Sequence, residues 1–209
     1  MNTSRLEAFT DAVIAIVMTV LVLGLHNPDG NTFAALWEMR HAFIVYLVSF
    51  ATLAVYWNSH HHLFQKAELV SGPILWWNML LLFWISLFPF TTSWVGSDLL
   101  SPAAVITYGA LMLVADVTWF MLTRALVRAH GKKSNIAVYV RDSKKSLLTI
   151  VVIGAGLLLS WLCPPLVVIA CVISLLLWIV PDENIEIIRR VKKVRKNKVD
   201  KESNHVKAP

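Results

Sequence analysis

The side chains that could do chemistry are few and fall in particular places. Arg5, Glu7 and Asp11 lie near the start, His60, His61 and His62 stand in a row, and Asp116 sits inside an apolar run. Carboxylates with imidazoles are the material of a metal centre, a hydrolase or a proton relay. A metal centre is not expected, because consecutive residues of a helix point about 100° apart and three adjacent histidines cannot converge on one ion. A hydrolase built from the histidines, Asp11 and Ser59 finds no support in their spacing, so the chain reads as no enzyme. Asp116 is different: an acid in an apolar run is a functional hypothesis by default and would suit a secondary transporter. The bland alternative is a carboxyl hydrogen-bonded inside a helix bundle. Cys163 and Cys171 both lie in apolar sequence and read as packed thiols, not a disulfide.

The elements that must position these residues belong to a membrane bundle. Of the 209 residues, 57% are hydrophobic and only 15% charged, whereas about a quarter of a soluble domain is charged. The charges gather in Arg124–Lys145 and in the tail after Pro181, which leaves the rest as charge-free as a bilayer demands. Apolar segments predict six helices, at residues 5–25, 36–59, 75–95, 102–126, 146–162 and 165–180. The last two are short for a span. Barrel strands are excluded, because the runs exceed the roughly ten residues of such a strand and do not alternate. Asn27-Pro28-Asp29-Gly30, Ser71-Gly72-Pro73, Ser101-Pro102 and Pro164-Pro165 break the runs apart. The expected fold class is therefore all-α and integral to the membrane. Residues 1–181 form the six-span domain and 182–209 a basic cytoplasmic tail. The N-terminus lacks the basic region and small-residue site of a cleaved signal.

Orientation follows from Lys and Arg. Arg124, Arg128, Lys132, Lys133, Arg141, Lys144 and Lys145 lie between the fourth and fifth segments, Lys66 between the second and third, and a further group runs from Arg189 to Lys207. The opposite loops, around Asp29, Asp98 and Cys163-Pro164, hold none. Basic residues stay cytoplasmic, so both termini are expected inside a multi-pass protein of the cell membrane. Trp37, Trp94 and Trp161 at outer ends, with Trp57, Trp76, Trp77 and Trp178 at inner ends, match interfacial belts. In the tail, Ile185, Ile188, Val191 and Val194 recur at helical spacing among cations, a pattern that suits anionic lipid but also an ordinary solvated tail.

On a helix, Arg5, Ala12, Ile16 and Leu23 share one stripe, flanked by Thr19 and Val20, and Asp11 lies about 140° from Ile16. An acid in the first turns is favoured by the helix dipole, yet needs a partner where water is scarce. Arg5 and the histidines that end the second segment, at the same depth, are the candidates for a network locking helices together.

Arg5-x-x-x-Phe9-Thr10-Asp11, followed by Ala-Val-Ile-Ala-Ile, resembles the signature of the transmembrane protein 175 family. That family comprises the endosomal and lysosomal potassium channel of animals and its shorter prokaryotic homologues. Its motif usually carries Ser where this chain has Thr10, which keeps the hydroxyl and adds a methyl. The resemblance runs the length of the chain, through Trp57-Asn58-Ser59-His60-His61-His62-Leu63-Phe64 after the second segment and Pro89-Phe90-Thr91 late in the third. It implies a homotetrameric cation channel, modestly selective for potassium over sodium, whose first helices line the pore. By position Ile16 matches the hydrophobic constriction. Thr19 matches a hydroxyl layer past which potassium moves, and Val20 and Leu23 match further apolar pore positions. Arg5, Phe9, Thr10 and Asp11, with His61 and His62, match a packing network that holds the first helix. The resemblance implies no cofactor beyond the permeant potassium ion. The partners it implies are further copies of the chain and membrane lipids, with no nucleic acid.

No Thr-Val-Gly-Tyr-Gly filter occurs in the chain. Selectivity would therefore rest on side chains: an isoleucine ring that excludes water and a threonine ring that offers hydroxyl oxygens. A transporter is the alternative, through Asp116, although such proteins show internal repeats and the Arg-x-x-x-Phe-Thr-Asp motif occurs once.

Overall fold

The computed structural model describes residues 2–131, 134, 136–137, 140 and 145–179. The chain divides into compact units at residues 1–177 and 178–209. Of the second, only Trp178 and Ile179 are described, so the basic tail from 182 and the lysines at 132, 133 and 144 lie outside the described residues. Helices account for every apolar segment. They are α1 (Thr3–Val20), α2 (Phe33–Glu38), α3 (Arg40–Phe64), α4 (Gly72–Ser86), α5 (Phe88–Ser97), α6 (Pro102–His130), α7 (Lys145–Leu159) and α8 (Leu166–Ile179).

Four of the six expected spans are long and apolar enough to cross a membrane: Thr3–Gly24, Arg40–Phe64, Gly72–Ser97 and Pro102–His130. The protein is thus a multi-pass membrane protein. The last two segments form helices of 15 and 14 residues, about 22 Å and 21 Å at 1.5 Å per residue, against a hydrocarbon core of about 30 Å. They fall short because the turn from Ser160 to Pro165 uses residues that the apolar run alone would assign to helix.

Local chemistry places the ends. The Asn2 side chain accepts from Ser4 N at 3.3 Å and caps α1. The Thr32 hydroxyl accepts from Ala35 N at 3.2 Å and opens α2. That helix breaks from α3 at Met39, so the second span begins at Arg40 and not at residue 36. The third span is jointed. Leu87 separates α4 from α5, two residues before Pro89, whose ring has no N–H and crowds the preceding turn. After Val20, α1 tightens into a 3-10 turn, Leu21–Gly24, and the Ser93 hydroxyl of α5 donates to Gly24 O at 3.1 Å.

The core centres on α6, which packs against α4, α5 and α7. More than half of its most apolar window is buried, 56% against 28% for α1, so α1 lies at the edge of the subunit. Close approach attaches the final hairpin. A Cβ on Gly109 would collide with Val167 Cγ1, and one on Gly156 would stand 2.5 Å from Ala170 Cβ and 3.4 Å from Leu166 O. Both neighbours of Gly156 are short or fixed, so the helices must part to admit a methyl. Gly156→Ala is expected to cost about 1–2 kcal/mol, read as a lower melting temperature in detergent. Gly154→Ala, with open space around it, should not destabilise. Cys163 and Cys171 are free thiols, the second fully buried.

Candidate functional site

One side of α1 is held and the other is open. Leu6, Thr10, Ile14, Val17 and Leu21 are buried, at the spacing of a single helical face. They lie on the side that meets α3, α4 and α5. On the opposite side Arg5, Phe9, Ala12, Ile16, Thr19, Val20 and Leu23 are exposed, with Ile16 at 62% and Leu23 at 78%. This is the stripe the periodicity assigned, and every residue given a pore role by the resemblance lies on it. The Thr19 hydroxyl donates back to Ile16 O at 2.7 Å. Its proton is thereby occupied, which leaves the oxygen as an acceptor.

The held side is fixed by hydrogen bonds near its N-terminal end. Asn78, fully buried in α4, donates from Nδ2 to Thr10 Oγ1 at 2.9 Å and accepts at Oδ1 from His60 Nε2 at 2.9 Å. His60 is itself buried and stacked on Phe64, ring centroids 4.2 Å apart. A second bond, His61 Nδ1 to Glu7 Oε1 at 2.9 Å, ties α3 to the second turn of α1. Gln65 donates to the other nitrogen of that ring at 2.8 Å.

This geometry redraws the network expected from the sequence. His61 meets Glu7 and not Asp11. His62 makes a tilted ring contact with His61 and gives its carbonyl oxygen to Lys66 Nζ at 3.3 Å. The Arg5 side chain is exposed and makes no hydrogen bond or ion pair among the described residues. The Asp11 Oδ1 atom is buried without a partner among them. The expected Arg5–Asp11 pair is therefore not formed within the described chain, because Arg5 projects from the open face and Asp11 from its border. Phe9, 48% exposed, lies on the open face as well.

The residue that sequence reasoning missed is Asn78; His60 was named only within its row of histidines, and Glu7 was given no partner. Asn78 carried the signal: a lone amide in Ile74-Leu75-Trp76-Trp77-Asn78-Met79-Leu80 is costly in a membrane unless bonded to another helix.

Asp116 lies apart from α1. It is 5% exposed, and its Oδ1 accepts from Tyr56 OH at 2.5 Å. Nearby on the same two helices, Tyr108 OH shares a 3.0 Å bond with Ser49, which accepts from Thr92 at 2.7 Å. These bonds tie α3, α5 and α6 together and satisfy one oxygen of Asp116, while its Oδ2 is buried without a hydrogen-bond partner among the described residues.

Comparison with known proteins bears on the same residues. The family described as "Endosomal/lysosomal potassium channel TMEM175" matches residues 5–89, the stretch that holds α1, His60, His61 and Asn78. A potassium channel from Chryseobacterium sp. (strain P1-3) is 36% identical over 186 residues, 89% of this chain and 97% of its own length. The endosomal/lysosomal proton channel TMEM175 of Homo sapiens is 37% identical over 87 residues, 34% of this chain and 17% of its own. Among solved structures, the crystal structure of a lysosomal potassium-selective channel TMEM175 homolog from Chamaesiphon minutus shares the fold. Its TM-score is 0.74 over 84% of this chain and 95% of that one, at 24% identity.

Proposed function

The chain belongs to the TMEM175 family, a family of ion channels and not of enzymes, and from that premise we propose that it is a potassium channel built as a homotetramer around its first helices. The observation that carries the reading is the open face of α1: Ile16, Thr19, Val20 and Leu23 are exposed on a helix whose other face is bonded in place. One helix cannot enclose a pore, and four copies related by rotation can. Ile16 rings then form an apolar constriction that sheds water when narrow, and Thr19 rings supply the hydroxyl oxygens one turn further along. Selectivity for potassium over sodium is modest, because single hydroxyl layers hold an ion less completely than stacked carbonyl cages.

Within this reading all six apolar segments belong to the membrane domain, the basic loop and tail face the cytoplasm, and lipid covers the outer helices. The purified protein, reconstituted in liposomes with potassium on one side and sodium on the other, should show unitary currents that reverse toward the potassium equilibrium potential. Native mass measurement should give four copies. Currents that reverse with the proton gradient would make protons the permeant ion, as the name of the human relative states for that protein. Saturable, proton-coupled flux would instead favour transport through Asp116.

A further inference from the structure

Away from α1, His130 makes a contact whose protonation state is set by its partners. It closes α6, and its Nδ1 lies 2.9 Å from Leu126 O, an acceptor, so Nδ1 carries a proton. Its Nε2 receives two backbone N–H groups from the loop between α3 and α4, Glu68 N at 3.0 Å and Leu69 N at 3.1 Å. A nitrogen that faces two donors must be bare. Only the neutral Nδ1–H ring makes all three bonds. A second proton turns Nε2 from acceptor to donor and sets it against two other donors. The ring is half-buried and Glu68 and Leu69 are exposed, so protons have access.

The loop that His130 clips joins the two helices that hold α1. His61 near the end of α3 bonds Glu7, and Asn78 in α4 bonds Thr10. Among the described residues, the charged groups on the elements that meet here are Lys66 and Glu68 on the loop, Arg124 and Arg128 on α6, and Lys145 opening α7, while the first turns of α4 carry none.

We propose that His130 is a proton-sensitive latch: neutral, it fastens the α3–α4 loop to the end of α6, and protonated from the cytoplasmic side it releases the loop and changes flux along α1. The change in flux rests on the proposed channel function; the latch does not.

The test uses the full chain in lipid nanodiscs and residue-resolved hydrogen exchange, corrected for the intrinsic effect of pH. From about pH 7.5 to about pH 5, either side of the imidazole range, protection at Glu68 and Leu69 should fall about tenfold or more. Lys66 and Ala67, whose amides bond Leu63 O and Phe64 O, should keep theirs. His130→Phe should show the low protection at both pH values. His130→Gln, which keeps an acceptor and cannot titrate, should stay protected at both. Equal protection of the parent at the two pH values, or full protection in His130→Phe, overturns the latch. A latch that opens while cytoplasmic acidification leaves the parent's flux unchanged overturns its coupling to α1. Absence of potassium flux at every pH counts against the channel reading and leaves the exchange result standing.

Discussion

Ile16→Asn is expected to raise the unitary conductance for potassium and sodium together, by about tenfold or more. In the proposed tetramer, four amides in place of four sec-butyl groups would keep a narrow ring wet, where the barrier to an ion is largely the cost of taking it through a dry ring. A tenfold rise needs only about 1.4 kcal/mol off that barrier, little against the hydration energy at stake. The substitution should fold, because Ile16 is 62% exposed on the open face of α1. Thr19→Val separates the second function. It keeps the shape, removes the hydroxyl that donates to Ile16 O, and should lower the potassium preference while the conductance changes less. Single-channel recording at equal reconstituted protein decides both. If Ile16→Asn gives the parent's currents, Ile16 is not in the pore and the alignment of the whole first helix falls with it.

Asn78→Leu should destabilise the protein more than any other single polar deletion discussed above, by about 2–4 kcal/mol. The branched heavy-atom skeleton is kept, although two methyl groups are bulkier than the amide, so the loss combines broken hydrogen bonds with some overpacking. His60 Nε2 is left as a buried donor with no acceptor, and Thr10 loses the only donor to its hydroxyl oxygen among the described residues. An unsatisfied buried group costs about 1–3 kcal/mol. Thr10 suffers less, because a helical hydroxyl falls back on the carbonyl one turn earlier. Thr10→Val alone should therefore cost about 1 kcal/mol, and in the Asn78→Leu background almost nothing, since the bond is already gone. Thermal melting of the four proteins in one detergent closes that cycle. Additive losses would show that the Thr10–Asn78 bond contributes nothing.

How much of this was legible follows the physics of each feature. The stripe on α1 was, because periodicity alone sorts a helix into faces: Ile16, Thr19, Val20 and Leu23 fall together whatever surrounds them. The partners of the opposite face were not. Choosing among His60, His61 and His62 requires the rotation of α3, and one residue of error turns the ring by about 100°. That is the difference between His60, buried against Asn78, and His61, reaching Glu7 at the rim. Apolar runs likewise marked where helices lie but not where they are jointed. Pro89 is visible in the third run, yet whether it kinks a helix or divides it depends on whether the freed groups are satisfied nearby. Here the chain breaks at Leu87, whose N–H turns back to Trp84 O at 3.1 Å. The separate helix α2 was hidden for a similar reason, since Met39 carries no breaker signature.

The joint at Leu87 has a mechanical consequence. The rod before it, α4, grips the first helix at Thr10 through Asn78; the rod after it, α5, grips the same helix at Gly24 through Ser93. The two clamps are about 21 Å apart along the axis, and Ile16, Thr19, Val20 and Leu23 all lie between them. A swivel at Leu87 that turns one rod against the other is therefore delivered to α1 as torque, twisting the stretch of helix that carries the open face while both of its ends stay clamped.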